Sequence, residues 1–162
     1  MTIKRSMTTL MAGIWLVAAF LLWPAANVTA AALAEDEKQV IAANEAFYSA
    51  FRSNDMAAME AVWSQTEQIA VIHPGWPELN GRAQVLESWR KILTGTGAPP
   101  NIHSVNARAY VYPGSAFVIC YENLGGAYMI ATNIFARENG EWRMVHHQAG
   151  PTPTPTHLGQ PI

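Results

Sequence analysis

Hydrophobic and polar positions follow helical spacing in three stretches of the chain. The first stretch, residues 36–52, carries its apolar side chains on one helical face: Val40, Ala43, Phe47, Tyr48, Ala50 and Phe51. Asn54-Asp55 interrupts this pattern and offers an N-cap for a shorter helix that ends near Trp63. The third stretch, residues 82–93, again repeats with helical period. The pattern therefore predicts three helices in the first half of the domain.

Alternating apolar and polar positions predict strands in the rest of the chain. Gln68 to His73 alternates and ends at the turn signal Pro74-Gly75-Trp76-Pro77. Further strands are predicted over residues 102–112, 117–124, 128–137 and 142–148. Gly125-Gly126 and Asn139-Gly140 are favoured two-residue hairpin turns. The order predicts an α+β domain in which the helices lie on one face of a mostly antiparallel sheet.

Two tight hairpins fix which side chains share a face of this sheet. Glu122 is then expected opposite Met129, and Asn133 opposite His146. Four polar side chains would lie together among apolar ones: Glu122, Asn133, His146 and Gln148. A β-bulge would shift part of this set by one residue. Since an unpaired buried polar group costs about 1–3 kcal/mol, these groups must bond one another or a ligand.

The opposite face is also largely apolar, with Phe117, Ile119, Tyr121, Ile130 and Ile134 among its members. Helices can cover only one face of a sheet. A second copy of the chain usually covers the other, so we expect a homodimer formed through the sheets.

The N-terminal segment has the parts of a secretory signal peptide. Lys4 and Arg5 precede an apolar run that ends at Pro24, and the small-residue triplet Ala32-Leu33-Ala34 follows. We predict a leader over residues 1–34 and a periplasmic or secreted protein. An uncleaved membrane anchor is the alternative, because the apolar run approaches the ~20 residues needed to span a bilayer.

Composition narrows the possible partners. Residues 35–162 carry eight basic and twelve acidic side chains, a net charge of −4, which argues against nucleic acid. Cys120 is the only cysteine, so no internal disulfide can form, and it fits a buried strand position. The Pro-Thr repeat after Gly150 predicts an extended or disordered tail over residues 151–162, which leaves one folded domain at residues 35–150.

The element order, the Trp142, Val145 and His146 spacing and the Asn54-Asp55 step resemble the SnoaL-like branch of the nuclear transport factor 2-like, or ketosteroid isomerase-like, superfamily. The resemblance covers about residues 36–150. It implies a cone-shaped domain, commonly dimeric, whose mouth lies between three helices and a curved sheet. Members include isomerases, dehydratases, hydrolases and non-catalytic assembly domains, so the resemblance does not fix an activity.

The resemblance also places individual residues. His73, before Pro74, stands where the isomerases of the superfamily have their catalytic base. Asn133 stands near the position of their protonated aspartate. Phe47 falls on the position of their proton-donating phenol, with Tyr48 one residue away. Steroid isomerisation is therefore not expected.

Three side chains are candidates for acid–base catalysis. His73 has an ordinary pKa near 6.5 and suits a general base, or it caps the turn at Pro74. His146 is a second proton carrier, or it bonds Asn133 across the strands. Glu122 is a base if burial raises its pKa, or it forms a structural salt bridge.

Candidate ligand contacts are the aromatic and amide side chains near these groups: Tyr48, Trp76, Trp89, Asn133 and Gln148. The scattered set His73, Glu122 and His146 lacks metal-ligand spacing, and no phosphate-binding glycine loop is present, so we expect neither a metal nor a cofactor. The sequence favours a domain that binds a small, largely apolar molecule, with cofactor-free acid–base chemistry. The alternative is a non-catalytic dimeric binding or assembly module.

Overall fold

A computed structural model describes residues 18–95 and 100–156 of the chain, with side chains from Thr29 onward. The chain divides into two compact units, Met1–Glu35 and Asp36–Ile162. Residues 1–17 of the predicted leader and residues 157–162 of the predicted tail lie outside the described residues, so both stay predictions. No helix in the described part of the chain is both long and apolar enough to cross a bilayer.

Three helices form where the sequence predicts them. They are α1 (Ala18–Arg52), α2 (Met56–Val62) and α3 (Arg82–Leu93). The predicted N-cap is confirmed, because the Asp55 carboxylate accepts a 2.9 Å hydrogen bond from the Ala58 backbone N–H. Helix α1 starts earlier than the helical spacing alone indicated, at Ala18 rather than near Asp36.

The strands form one six-stranded sheet. They are β1 (Ala70–Ile72), β2 (Leu79–Asn80), β3 (His103–Tyr112), β4 (Ser115–Asn123), β5 (Tyr128–Glu138) and β6 (Glu141–Thr152). Their order in the sheet is β2-β1-β6-β5-β4-β3. Strand β1 pairs parallel with β6, and every other pair is antiparallel. Strand β2 was not predicted, since two residues are too few to show alternation, and β6 continues into the predicted tail as far as Thr152.

The register of the first hairpin is confirmed, and that of the second changes along its length. Glu122 lies opposite Met129, as predicted. Phe135 lies opposite Met144, but the next pair is Ile134 with His146, so Val145 is an extra residue in β6. This β-bulge reverses the side-chain alternation beyond it. Asn133 therefore lies opposite His147, and the predicted pairing of Asn133 with His146 is wrong.

The bulge moves two predicted site residues to the other face of the sheet. His147 is buried with the core, whereas His146 is half-buried and Gln148 is exposed. Gln148 therefore does not share a face with Glu122 and Asn133 as predicted, because it lies opposite Thr132. We call the side that carries His146 and Gln148 the outer face. The covered side packs against the helices, which confirms the predicted α+β fold with three helices on a mostly antiparallel sheet.

The core lies between α1, α3 and the covered face of the sheet. Its largest fully buried side chains are Phe47, Tyr48, Met59, Trp63, Trp89, Ile102, Phe135 and Met144. Phe47 packs edge-on against Trp89 at a centroid distance of 5.2 Å, which joins α1 to α3. The polar side chains described next lie within this apolar packing.

Candidate functional site

Five buried polar side chains form the interior polar cluster: Asn44, Tyr48, Glu122, Asn133 and His147. Helix α1 supplies Asn44 and Tyr48, and the three adjacent strands β4, β5 and β6 supply the others. Each is at most 3% exposed. Buried polar groups need hydrogen-bond partners, and the partners here are mostly other members of the cluster.

The hydrogen bonds of Asn133 determine the tautomer of His147. Asn133 Nδ2 donates to Asn44 Oδ1 at 2.7 Å and to Tyr48 OH at 3.2 Å. Its Oδ1 must then accept, and it lies 2.6 Å from His147 Nδ1. His147 is therefore protonated on Nδ1, which leaves the lone pair on Nε2.

Tyr48 connects the same amide to a carboxyl group. Its hydroxyl donates to Glu122 Oε1 at 2.9 Å and lies 3.3 Å from Cys120 Sγ. Burial raises the pKa of Glu122 from 4.5 to about 7, although the Tyr48 hydrogen bond acts in the opposite direction. Glu122 is therefore a carboxyl group that exchanges its proton near neutral pH.

His147 lies beside this carboxyl group as a neutral ring. Its Nε2 is 3.8 Å from Glu122 Oε1, which is too long for a hydrogen bond. Burial, with smaller contributions from the neighbouring His73 and His146, lowers the pKa of His147 to about 3. The site thus combines a titratable acid with an uncharged imidazole that offers a lone pair.

His73 follows β1 and faces α3. Its Nε2 is 2.9 Å from Ser88 Oγ, and Ser88 gives its single hydroxyl hydrogen to the Val85 carbonyl at 2.7 Å. His73 Nε2 is therefore the donor, and Nδ1 carries the lone pair. Burial lowers the pKa of His73 from 6.5 to about 4. His73 was named a candidate base because an ordinary imidazole has a pKa near 6.5, and that value does not apply in the folded protein. The turn is closed by the His73 carbonyl, which accepts from the Trp76 N–H at 2.9 Å, and not by its ring.

Trp89 lies next to both histidines. Its ring centroid is 4.8 Å from that of His73 and 6.0 Å from that of His147. Trp89 is 1% exposed, and its indole Nε1–H has no acceptor among the described residues. An unpaired buried donor is costly, so this N–H is available to an oxygen atom of a ligand.

A surface pocket of about 230 Å³ adjoins His73. Trp76, Leu79, Gln84, Glu87, Ser88 and Lys91 line it. Trp76 is 43% exposed and its ring centroid is 5.2 Å from that of His73. Ser88 both lines this Trp76 pocket and bonds His73, so the pocket lies directly outside the imidazole.

The structure brings together most of the candidate residues. Glu122, Tyr48 and Asn133 share the interior polar cluster. The resemblance placed the phenol of the isomerases at position 47, and the phenol that the cluster contains is that of the next residue, Tyr48. The alternative for Glu122, a structural salt bridge, is not made with Arg137 or Arg90, because these arginines pair with Asp36 and Glu87.

His146 and Gln148 lie on the outer face, away from the cluster. Sequence reasoning missed His147, Asn44 and Ser88. The position of His147 opposite Asn133 depends on the β-bulge, and no residue type in the sequence predicts that bulge. Asn44 and Ser88 could have been found, because each is a polar residue on the apolar face of a helix.

The arrangement supports proton transfer more directly than metal binding. No group of three or more His, Cys, Asp or Glu side chains in the described part of the chain is placed to hold a metal ion. Glu122 and the two imidazoles supply one exchangeable proton and two lone pairs. Such a set can orient a polar group of a small molecule and move a proton to or from it.

The sequence matches the SnoaL-like domain over residues 40–153. The chain therefore belongs to the SnoaL-like family, and its fold is that of the nuclear transport factor 2-like superfamily. This confirms the resemblance noted in the sequence.

Three proteins that are similar to this chain carry different names. A Streptomyces avermitilis protein named as a dehydratase of the nuclear transport factor 2-like family is 30% identical, with a TM-score of 0.67, and the match covers 74% of this chain and 98% of that one. A Thiobacillus denitrificans protein named as a calcium/calmodulin-dependent protein kinase type II association domain is 32% identical, with a TM-score of 0.58 and coverage of 69% and 94%.

The F-box protein SKIP8 of Arabidopsis thaliana is 26% identical over 113 residues, which are 69% of this chain. The chain spans about half the length of that relative, 49%. The family and fold are thus established, while the names of the relatives point to different activities.

Proposed function

We propose that this SnoaL-like domain binds a small, largely apolar molecule between α1, α3 and the sheet, and performs cofactor-free acid–base chemistry on it. Isomerisation, dehydration and hydrolysis are the reaction types that such chemistry serves. The observation that carries the proposal is the buried Glu122 carboxyl group, whose pKa is about 7. This carboxyl group lies beside Nε2 of the neutral His147 ring, at a distance of 3.8 Å that is too long for a hydrogen bond.

Glu122 is the proton carrier in this proposal. A general acid or base is most effective when its pKa lies near the working pH. Glu122 meets that condition, whereas His73 and His147, with pKa values of about 4 and 3, are poor proton acceptors. The two histidines instead accept hydrogen bonds from the bound molecule and orient it. His147 replaces His146 in this role, because His146 lies on the outer face.

The Trp76 pocket is the proposed entrance. The exposed Trp76 ring offers an apolar surface, and Ser88 leads from it to His73. Trp89 and Phe47 would then line the inner wall beside His147. The similarity to a protein named as a dehydratase supports this assignment of chemistry.

A ligand screen on the purified full chain tests the proposal. Thermal melting would be followed with apolar carbonyl compounds, sterols and phenolics, since a ligand that binds the folded state raises the melting temperature. Glu122→Gln keeps an acceptor for Tyr48 and cannot exchange a proton. We expect the variant to bind the same compounds and to convert none of them.

The control is His146→Asn, which alters the neighbouring histidine on the outer face. It should bind and convert as the wild type does. If no compound raises the melting temperature, or if Glu122→Gln turns over as fast as the wild type, Glu122 is not the proton carrier of a ligand site.

A second candidate function is a non-catalytic dimeric assembly module, and the outer face favours it. Tyr110, Tyr112, Ile130 and Ile134 are 36–55% exposed there. Phe117 stacks on Tyr110 at a centroid distance of 4.6 Å. The similarity to a protein named as an association domain also supports assembly. We propose that a second copy of this chain covers the outer face in either function.

Solution mass measures this association. The wild type is expected at about twice the mass of one chain by light scattering, because a shared apolar face is buried in the dimer. Ile134→Glu places a charge in that face and should give a monomer, while Lys91→Glu on α3 should leave the mass unchanged. A wild-type monomer at all concentrations would contradict the dimer without affecting the ligand site.

We also propose that residues 1–34 act as a leader that carries the domain out of the cytoplasm. N-terminal sequencing of the protein recovered from its native cell tests this. A chain that begins at Glu35 supports export, and a chain that retains its apolar run supports an anchor.

A further inference from the structure

We infer that the ligand is a neutral apolar alcohol or phenol, whose hydroxyl group donates to an imidazole lone pair and accepts from the indole N–H of Trp89. This inference rests on the proposed function and names the ligand class of the same site. It follows from the hydrogen-bond donors and acceptors that the protein leaves unpaired beside Trp89.

Both histidines are held as hydrogen-bond acceptors. Asn133 takes the Nδ1 hydrogen of His147, and its own two amide hydrogens go to Asn44 and Tyr48. Ser88 takes the Nε2 hydrogen of His73, because its own hydroxyl hydrogen goes to a helix carbonyl. Neither ring can turn over to present an N–H without breaking these bonds. A ligand that approaches either lone pair must therefore bring a hydrogen of its own.

Trp89 supplies the complementary group. Its Nε1–H is one of three buried indole donors without an acceptor among the described residues, with those of Trp63 and Trp142, and it is the one whose ring lies next to both imidazoles. The ring centroid of Trp89 is 4.8 Å from that of His73 and 6.0 Å from that of His147, so the indole is a direct neighbour of both imidazoles. A hydroxyl group satisfies an acceptor and a donor at once, whereas a ketone or an ether can only accept.

Charge selects against anions. The interior polar cluster contains the Glu122 carboxyl group, and the hydrogen bonds and the ion pair that join its members involve no lysine or arginine of the described residues. A carboxylate ligand would be buried without a cation and next to a second acid, which is strongly unfavourable. The aromatic side chains Phe47, Phe51 and Trp89 complete an apolar wall.

Matched probes of one shape test the inference. They are 2-naphthol, its methyl ether 2-methoxynaphthalene, the ketone 2-acetylnaphthalene and the anion 2-naphthoate. Affinity for the full chain would be measured by calorimetry and by tryptophan fluorescence. We expect 2-naphthol to bind at least about tenfold more tightly than each of the other three, which corresponds to about 1.4 kcal/mol.

Two variants assign the preference to the histidines. His73→Phe and His147→Phe each replace one lone pair by an aromatic edge of similar shape. We expect the preference for 2-naphthol over its ether to fall below about threefold in at least one of them, equivalent to less than about 0.7 kcal/mol. His146→Phe on the outer face should leave the preference unchanged. His73→Phe keeps the test available if His147→Phe does not fold.

The outcomes separate this inference from the proposed function. Equal binding of 2-naphthol and its ether, tighter binding of the ketone, or an unchanged preference in both variants overturns the hydroxyl class and leaves an apolar ligand site standing. If none of the four probes binds at about 1 mM, a level that detects even about 4 kcal/mol of binding free energy, both the inference and the ligand site fail.

Discussion

Asn133 and His147 lie opposite each other in β5 and β6, and a 2.6 Å hydrogen bond joins the amide oxygen to the imidazole Nδ1. This pairing exists only because Val145 is an extra residue in β6. Without the bulge, His146 would face Asn133, and His147 would lie on the outer face. One inserted residue thus determines which of two adjacent histidines joins the interior polar cluster.

The first prediction compares these two histidines directly. His147→Asn removes a buried ring and opens a gap beside Phe47, although its amide N–H can still donate to the Asn133 oxygen. We expect it to lower the free energy of unfolding by about 2–4 kcal/mol. His146→Asn changes a half-buried side chain on the outer face and should cost about 0.5 kcal/mol or less. Urea unfolding of both variants measures the difference, and equal losses would contradict the bulged register.

Much of the fold could be predicted from the sequence, because its signals are local. Asp55 caps α2 as its position before an apolar helix indicates, and the Gly125-Gly126 hairpin sets Glu122 opposite Met129. The bulge could not be predicted, since two-residue turns fix the register only near the turn. Whether a strand contains an extra residue further from the turn depends on how the side chains of both faces of the sheet pack.

The candidate site was predictable in part for the same reason. Glu122 and Asn133 share a face because they lie on the confirmed side of the bulge. The pKa values were not predictable, because they depend on burial by residues distant in the sequence. Tyr48 reaches Glu122 across 74 positions of the chain, and only the packing of α1 on the sheet brings them together.

The second prediction concerns the pH dependence of stability due to Glu122. Its pKa is about 7 in the folded state and about 4.5 when unfolded, so its protonated form stabilises the fold. That contribution is fully present below pH ~4.5 and is lost as pH rises to about 7. The difference in pKa corresponds to about 3 kcal/mol. Glu122→Gln resembles the protonated acid at every pH.

We therefore expect Glu122→Gln to match the wild type near pH 4 and to exceed its stability by up to about 3 kcal/mol near pH 8. Urea unfolding at both pH values measures this. A variant that is less stable than the wild type at pH 8 would show that the carboxylate is solvated or paired in the folded protein.

The third prediction removes the hydroxyl group that bonds this carboxyl group. Tyr48→Phe deletes the 2.9 Å hydrogen bond that holds the pKa of Glu122 down, so that pKa should rise above about 7. The variant also leaves an Asn133 hydrogen without its acceptor and should lose about 1–3 kcal/mol of stability. Carboxyl ¹³C NMR titration measures the pKa. Tyr110→Phe on the outer face is the control, and a fall in the pKa of Glu122 in Tyr48→Phe would contradict the assigned donor.

The fourth prediction converts the amide beside His147 into an acid. Burial now lowers the pKa of His147 to about 3, so its stabilising contribution is present above pH ~6.5 and is lost as pH falls towards 3. In Asn133→Asp, a carboxylate would lie within hydrogen-bond distance of Nδ1 and favour the charged imidazolium. We expect the pKa of His147 to rise by about 1–3 pH units, with a smaller loss of stability between pH 6.5 and 4. Titration of the His147 ring protons by NMR measures the change.

Asn101→Asp places the same charge beside the exposed His103 and should leave acid unfolding unchanged. A His147 pKa that stays near 3 in Asn133→Asp would mean that the new acid is itself protonated and that the amide does not set the charge of the ring.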